Sequence, residues 1–215
     1  MNFILNTFRM CGCSKDEGDD KIVKDVTAAP VFSKANEAIE RYNQGCGLQE
    51  QGNIAGAITF YRQAIALDPT HADAHYNLAS SLQEMGQLEE AEKHYKRTVS
   101  IAPTHHVAYY NMGYLYQEMN KMDKSIEAFK KASKIEPNDP DTHINLALAL
   151  RHEGRLQEAV QSYIRAIRAD KNAIMAYFNL GNTYQELQNY NLAIKCFKDA
   201  LRLDADHADA MYCNP

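Results

Sequence analysis

Prolines stand at positions 69, 103 and 137, and both intervals are 34 residues. A strict period of this length constrains the chain more than any other feature. A unit that short cannot bury its own apolar faces, so it must stack on copies of itself. Two further steps reach Lys171 and Ala205, where the proline is lost but the surrounding pattern continues. With the prolines at position 32, the units are 38–71, 72–105, 106–139, 140–173 and 174–207, and a sixth begins at Ala208. Position 8 is always small: Gly45, Ala79, Gly113, Ala147, Gly181. Position 20 reads Ala57, Ala91, Ser125, Ala159, Ala193, and position 27 reads Ala64, Thr98, Ala132, Ala166, Ala200. Position 24 is aromatic throughout, as Tyr61, Tyr95, Phe129, Tyr163 and Phe197.

Each unit holds two helical stretches, at positions 1–14 and 18–31. The break near position 15 falls on Gly52, Gly86, Asn120, Gly154 and Gln188. Gly and Asn suit the left-handed backbone that ends a helix. The steps Asp68-Pro69, Ala102-Pro103 and Glu136-Pro137 end the second helix, because proline disfavours helical geometry in the residue before it. Small residues at positions 8, 20 and 27 let paired helices approach, and the aromatic at position 24 fills the space beside them.

This pattern of small residues, aromatics and prolines resembles the tetratricopeptide repeat family over about 31–207. The resemblance implies an all-α fold: a right-handed superhelix of five helix-turn-helix units plus an incomplete sixth. It also implies a scaffold or adaptor that binds other proteins. One departure is position 4, usually Trp in the family and here Arg41, His75, Tyr109, His143 and Tyr177. The step from Thr70 to Leu78 is similar to the repeats of O-GlcNAc transferases, which implies as an alternative the substrate-selecting arm of such an enzyme. A third alternative is a subunit of a larger repeat-containing assembly.

Composition narrows the class. The chain has 215 residues, 45% of them apolar, and a net charge of −5. No apolar run reaches the roughly 20 residues of a membrane helix, and the acidic balance gives no reason to expect nucleic acid. Five cysteines at irregular spacing (Cys11, Cys13, Cys46, Cys196, Cys213) fit free thiols in a reducing, cytoplasmic setting. Residues 1–30, with Asp16, Glu17, Asp19 and Asp20 close together, read as a disordered tail in which Cys11 and Cys13 are open to reversible acylation.

Candidate binding residues follow from helical geometry at 100° per residue. In the first helix of each unit, positions 2, 5, 6, 9, 12 and 13 lie opposite the mainly apolar arc, and stacking lines such arcs into a groove. Position 6 is Asn in every unit: Asn43, Asn77, Asn111, Asn145 and Asn179. An amide can pair with a passing peptide backbone, or it can serve the helix stack. Position 5 reads Tyr42, Tyr76, Tyr110, Ile144 and Phe178, placed either to clasp a ligand or to pack against the next unit. The acids of this arc are Glu50, Asp73, Glu84, Glu118, Asp141 and Glu186, against Arg151 alone among Lys and Arg. Such a groove would favour a neutral or basic segment.

The family's carboxylate clamp calls for Lys at positions 5 and 2. Here tyrosines and Asp73, Val107 or Asp141 stand there, so the clamp is absent. The histidines follow the repeat, with His71, His105 and His207 at position 34 and His75 and His143 at position 4, which points to turn or packing roles rather than a metal site. No phosphate loop, nucleophile elbow or HExxH occurs, so neither catalysis nor a cofactor is expected. The last full unit lacks a polar cap, which leaves Ile194, Phe197 and Leu201 as an apolar face, open to self-association or truncated from a longer chain.

Overall fold

The computed structural model describes residues 29–212, with side chains described for 34–204. The expectations for the first 28 residues, for Cys11, Cys13 and Cys213, and for the side chains of 205–215 lie outside the described residues. Among the described residues there are ten α-helices and no strand. They are α1 (Ala29–Glu50), α2 (Ile54–Leu67), α3 (Ala72–Glu84), α4 (Leu88–Ile101), α5 (His106–Glu118), α6 (Met122–Ile135), α7 (Pro140–His152), α8 (Leu156–Ala169), α9 (Ile174–Glu186) and α10 (Tyr190–Tyr212). The fold is an all-α helical repeat. Its residues divide into two compact units between Asn111 and Met112, within α5. In the first, α1 packs on α2, α2 on α3 and α3 on α4; in the second, α6, α7, α8, α9 and α10 pack in succession.

Position 15 closes every first helix in the left-handed region, at φ 76° for Gly52, 74° for Gly86, 57° for Asn120, 69° for Gly154 and 59° for Gln188. The closing bonds repeat as well. Gly52 N–H donates to the Gln49 carbonyl and Asn53 N–H to the Leu48 carbonyl, and Asn120 and Lys121 do the same at Gln117 and Tyr116. These crossed bonds satisfy the carbonyls a helix end leaves over. The second helix starts one residue earlier than the spacing predicts, at position 17.

Histidine at position 34 opens the next helix. Nδ1 of His71 accepts from Ala74 N–H at 3.2 Å, and Nδ1 of His105 accepts from Ala108 N–H at 3.1 Å. Histidine at position 4 then ties the turn shut: Nε2–H of His143 donates to the Pro137 carbonyl at 2.8 Å, and His75 lies 3.3 Å from that of Pro69.

Small and aromatic positions meet as the repeat requires. A Cβ built on Gly45, Gly113 or Gly181 would come within 2.5–2.6 Å of the ring of Tyr61, Phe129 or Phe197 respectively. The position-24 ring therefore packs directly against the position-8 backbone, sixteen residues earlier in the chain. Tyr61, Tyr95, Phe129 and Tyr163 are each fully buried, a burial worth about 2–3 kcal/mol for such a side chain.

The ends differ from the interior. Helix α10 continues through Asp204 and Ala205 to Tyr212, where the period predicts a break and a new unit at Ala208. Ala205 stands where proline ends earlier second helices, and alanine favours helix continuation. Ile194 and Leu201 are exposed, as expected, whereas Phe197 is partly covered by Phe178 at 5.8 Å.

Candidate functional site

The first helices present less free surface than the two-arc reading predicts. Helix α3 is buried from Ala74 to Gln83, and only its ends, Asp73 and Glu84, are exposed. A two-arc wheel assumes one covered side. Here a first helix also touches the first helix of the next repeat, as the bonds between α1 and α3 make plain.

Those bonds involve the predicted asparagines and tyrosines. Asn77 Nδ2 donates to the Tyr42 hydroxyl at 3.1 Å, and Asn111 Nδ2 donates to the Tyr76 hydroxyl at 2.9 Å. Each tyrosine packs inside its own repeat as well: Tyr42 lies 4.8 Å from His71 and 5.9 Å from Tyr61, and Tyr76 lies 4.9 Å from His105 and 6.0 Å from Tyr95. In the first two repeats position 5 thus links the aromatic and histidine of one repeat to the amide of the next. Asn77, Asn111, Tyr76 and Tyr110 are buried. For Asn77, Asn111 and Tyr76 the adjoining repeat occupies that side of the helix, in line with the packing reading.

The remaining candidates divide differently. Asn43 is exposed on α1 beside Ile39 and Glu40. Asn145 is half-buried and donates to the Asp141 carbonyl at 2.9 Å, one turn back. Asn179 is buried, while Phe178 beside it is 49% exposed. Glu50, Asp73, Glu84, Glu118, Asp141 and Glu186 are all exposed. Arg151 holds Glu186, with Nε 2.8 Å from Oε1, so the single base of the arc neutralises one of its acids. Asp73 lies 3.7 Å from His105 Nε2, and this contact holds its carboxyl below the usual carboxylate range.

Asn111→Ala is expected to cost about 1–3 kcal/mol of stability, since it removes a donor from the buried Tyr76 hydroxyl and leaves a void. Urea unfolding followed by circular dichroism measures it. A change under about 0.5 kcal/mol, the range of ordinary surface substitutions, would contradict the seam.

Three family models, each described as tetratricopeptide repeat, match residues 48–112, 106–139 and 138–206. Residues 48–206 are built of tetratricopeptide repeats. Solved structures agree on the fold. "Crystal structure of MamA protein" superposes with a TM-score of 0.75 at 23% identity, covering 81% of this chain and 95% of that one. A form of MamA from Desulfovibrio magneticus RS-1 gives 0.72 at 16% identity, over 80% and 97%. YrrB, described as a TPR protein with an unusual peptide-binding site, gives 0.70 at 21% identity, over 85% and 94%. Among curated protein sequences none matches significantly.

The periodicity of the first helices gives no sign of a cluster of cations on the second helices α6 and α8. Its members sit at positions 25, 26 and 29 and become neighbours only when two repeats adjoin.

Proposed function

We propose that this tetratricopeptide repeat chain is a non-catalytic scaffold that binds an extended, neutral or basic segment of another protein. The contact lies along the acidic ends of its first helices. The observation that supports this reading is the exposure of the predicted acids, while Tyr76 and Asn77, between Asp73 and Glu84, are buried. Asp73 and Glu84 are eleven residues apart, three turns of α3, and so share one edge of it. The segment is held by charge and steered at long range more than it is read residue by residue. Phe178, exposed on α9, adds an apolar contact of the kind that anchors interfaces.

The likeness of residues 70–78 to O-GlcNAc transferase repeats rests on packing positions. Tyr76, Asn77 and Leu78 are all buried, so those residues hold repeats together whatever the groove takes. Buried free thiols at Cys46 and Cys196 support a reducing compartment such as the cytoplasm. Among the described residues no helix is long and apolar enough to cross a membrane.

The test uses a lysine-containing peptide and the paired variant Asp73→Lys/Glu84→Lys. Both side chains are exposed, so helix content should be unchanged, while the peptide's Kd rises about tenfold at low salt. Equal affinity in parent and variant defeats the reading, as does tighter capture of a glutamate peptide by the parent at the same edge.

A further inference from the structure

A cleft of about 780 Å³ lies between α6 and α8, over α7, entirely within the second unit. It is within the size range of ligand sites. Its walls carry Lys130, Lys134, Arg165 and Arg168, against Glu158 as the one acid among the lining residues. That acid is already engaged. Glu158 accepts from Arg155 Nε and Nη2 at 2.7 and 2.8 Å and from Lys130 at 3.3 Å. Among the described residues Lys134, Arg165 and Arg168 make no hydrogen bond or ion pair, and all three are exposed. Three unanswered cations therefore line one concavity of a chain whose net charge is −5.

The floor supplies a second, independent observation. His143 is 4% exposed and lines the cleft between α6 and α8. Its Nε2–H donates to the Pro137 carbonyl, so Nδ1 of the neutral ring is an acceptor, and that buried Nδ1 has no hydrogen-bond partner. A buried acceptor without a donor is costly, and a ligand carrying N–H or O–H groups would relieve it. A bare inorganic anion, which only accepts, would not. Nor does the cleft suit a nucleic acid, since no aromatic side chain other than the His143 imidazole lines it to stack a base.

We infer that this cleft is a second protein-binding site, which takes an acidic peptide segment of a partner. Aspartate and glutamate side chains meet Lys134, Arg165 and Arg168, and a backbone N–H reaches toward His143. The site is separate from the acidic helix ends and has the opposite charge preference. The chain would then bridge two partners of unlike charge, or two stretches of one.

Fluorescence anisotropy on the full chain, with a labelled octapeptide of alternating aspartate and glutamate, tests this. Saturable binding is expected, weakened about tenfold or more in Lys134→Gln/Arg165→Gln/Arg168→Gln and weakened by added salt. Amide resonances of α6, α7 and α8 should shift on titration. Circular dichroism checks the triple variant, and Arg165→Glu alone provides the second variant should the triple lose helix. Asp73→Lys/Glu84→Lys should leave this binding unchanged, so failure here is distinguishable from failure of the acidic-edge reading. Undiminished affinity in both cleft variants, or equal affinity for a single-stranded oligonucleotide of the same charge, overturns the proposal.

Discussion

Phe129→Ala is expected to destabilise the second unit by about 3–5 kcal/mol, the usual cost of removing a fully buried ring. The ring has no room to be replaced by rearrangement. The ring abuts Gly113, and it meets the Tyr114 ring at 5.6 Å and 87°, edge to face. The converse change, Gly113→Leu, forces a side chain into the same space, where even a Cβ would stand 2.5 Å from the ring. It should cost about 1–3 kcal/mol or more. Combined in one chain, the two changes should cost less than their sum, because the leucine enters the cavity left by the ring. Urea denaturation of the parent, both single variants and the double variant gives the coupling directly. Strict additivity would mean that residues 113 and 129 do not share a packing site.

Stability is expected to fall as the pH drops from about 6.5 toward 4, through a pair of histidines in the first unit. Nδ1 of His75 and Nδ1 of His94 lie 2.9 Å apart, which requires one to donate and the other to accept. Burial, and then the neighbouring His75, push His94 from 6.5 down to about 4, and burial pushes His75 down as well. Glu90, Arg62 and Lys93 also face His94, and Arg97, His71 and Asp68 face His75. The folded state therefore holds both rings neutral in a range where the unfolded chain takes up protons. The unfolded state binds more protons between the two values, so stability rises with pH there, is complete above about 6.5 and flattens below about 4. For His94 alone, which keeps some solvent exposure, the loss is about 2–3 kcal/mol. Asp68 and Asp73, both held below 3.8 by hydrogen bonds, add their losses only at still lower pH. Urea midpoints measured across this range should slope in the parent and flatten in His94→Leu. An equal slope in both would assign the effect elsewhere.

Residues whose role is local were legible in the amino-acid order. Position 15 shows this best: Gly52, Gly86, Asn120 and Gly154 were expected at left-handed helix ends, and that is where they stand. The packing of position 8 under position 24 was equally legible, since a small residue and a ring recur together in every repeat. The free surface was not. Tyr76 and Asn77 sit on the polar arc by helical geometry and are nonetheless buried, because a wheel drawn for one helix does not contain the repeat beside it. The cation cluster of α6 and α8 escaped for the same reason, as no single helix carries it.

The amino-acid order by itself determined the unit: where each first helix stops, which side chains are small, and which ring covers them. These depend on contacts inside one repeat, and the period restates them. Tertiary structure alone decided which polar groups remain available to another molecule. Solvent exposure belongs to the stack of repeats: the amides of Asn77 and Asn111 are taken up by tyrosine hydroxyls one repeat away, while Lys134, Arg165 and Arg168 are left facing a cleft without a partner.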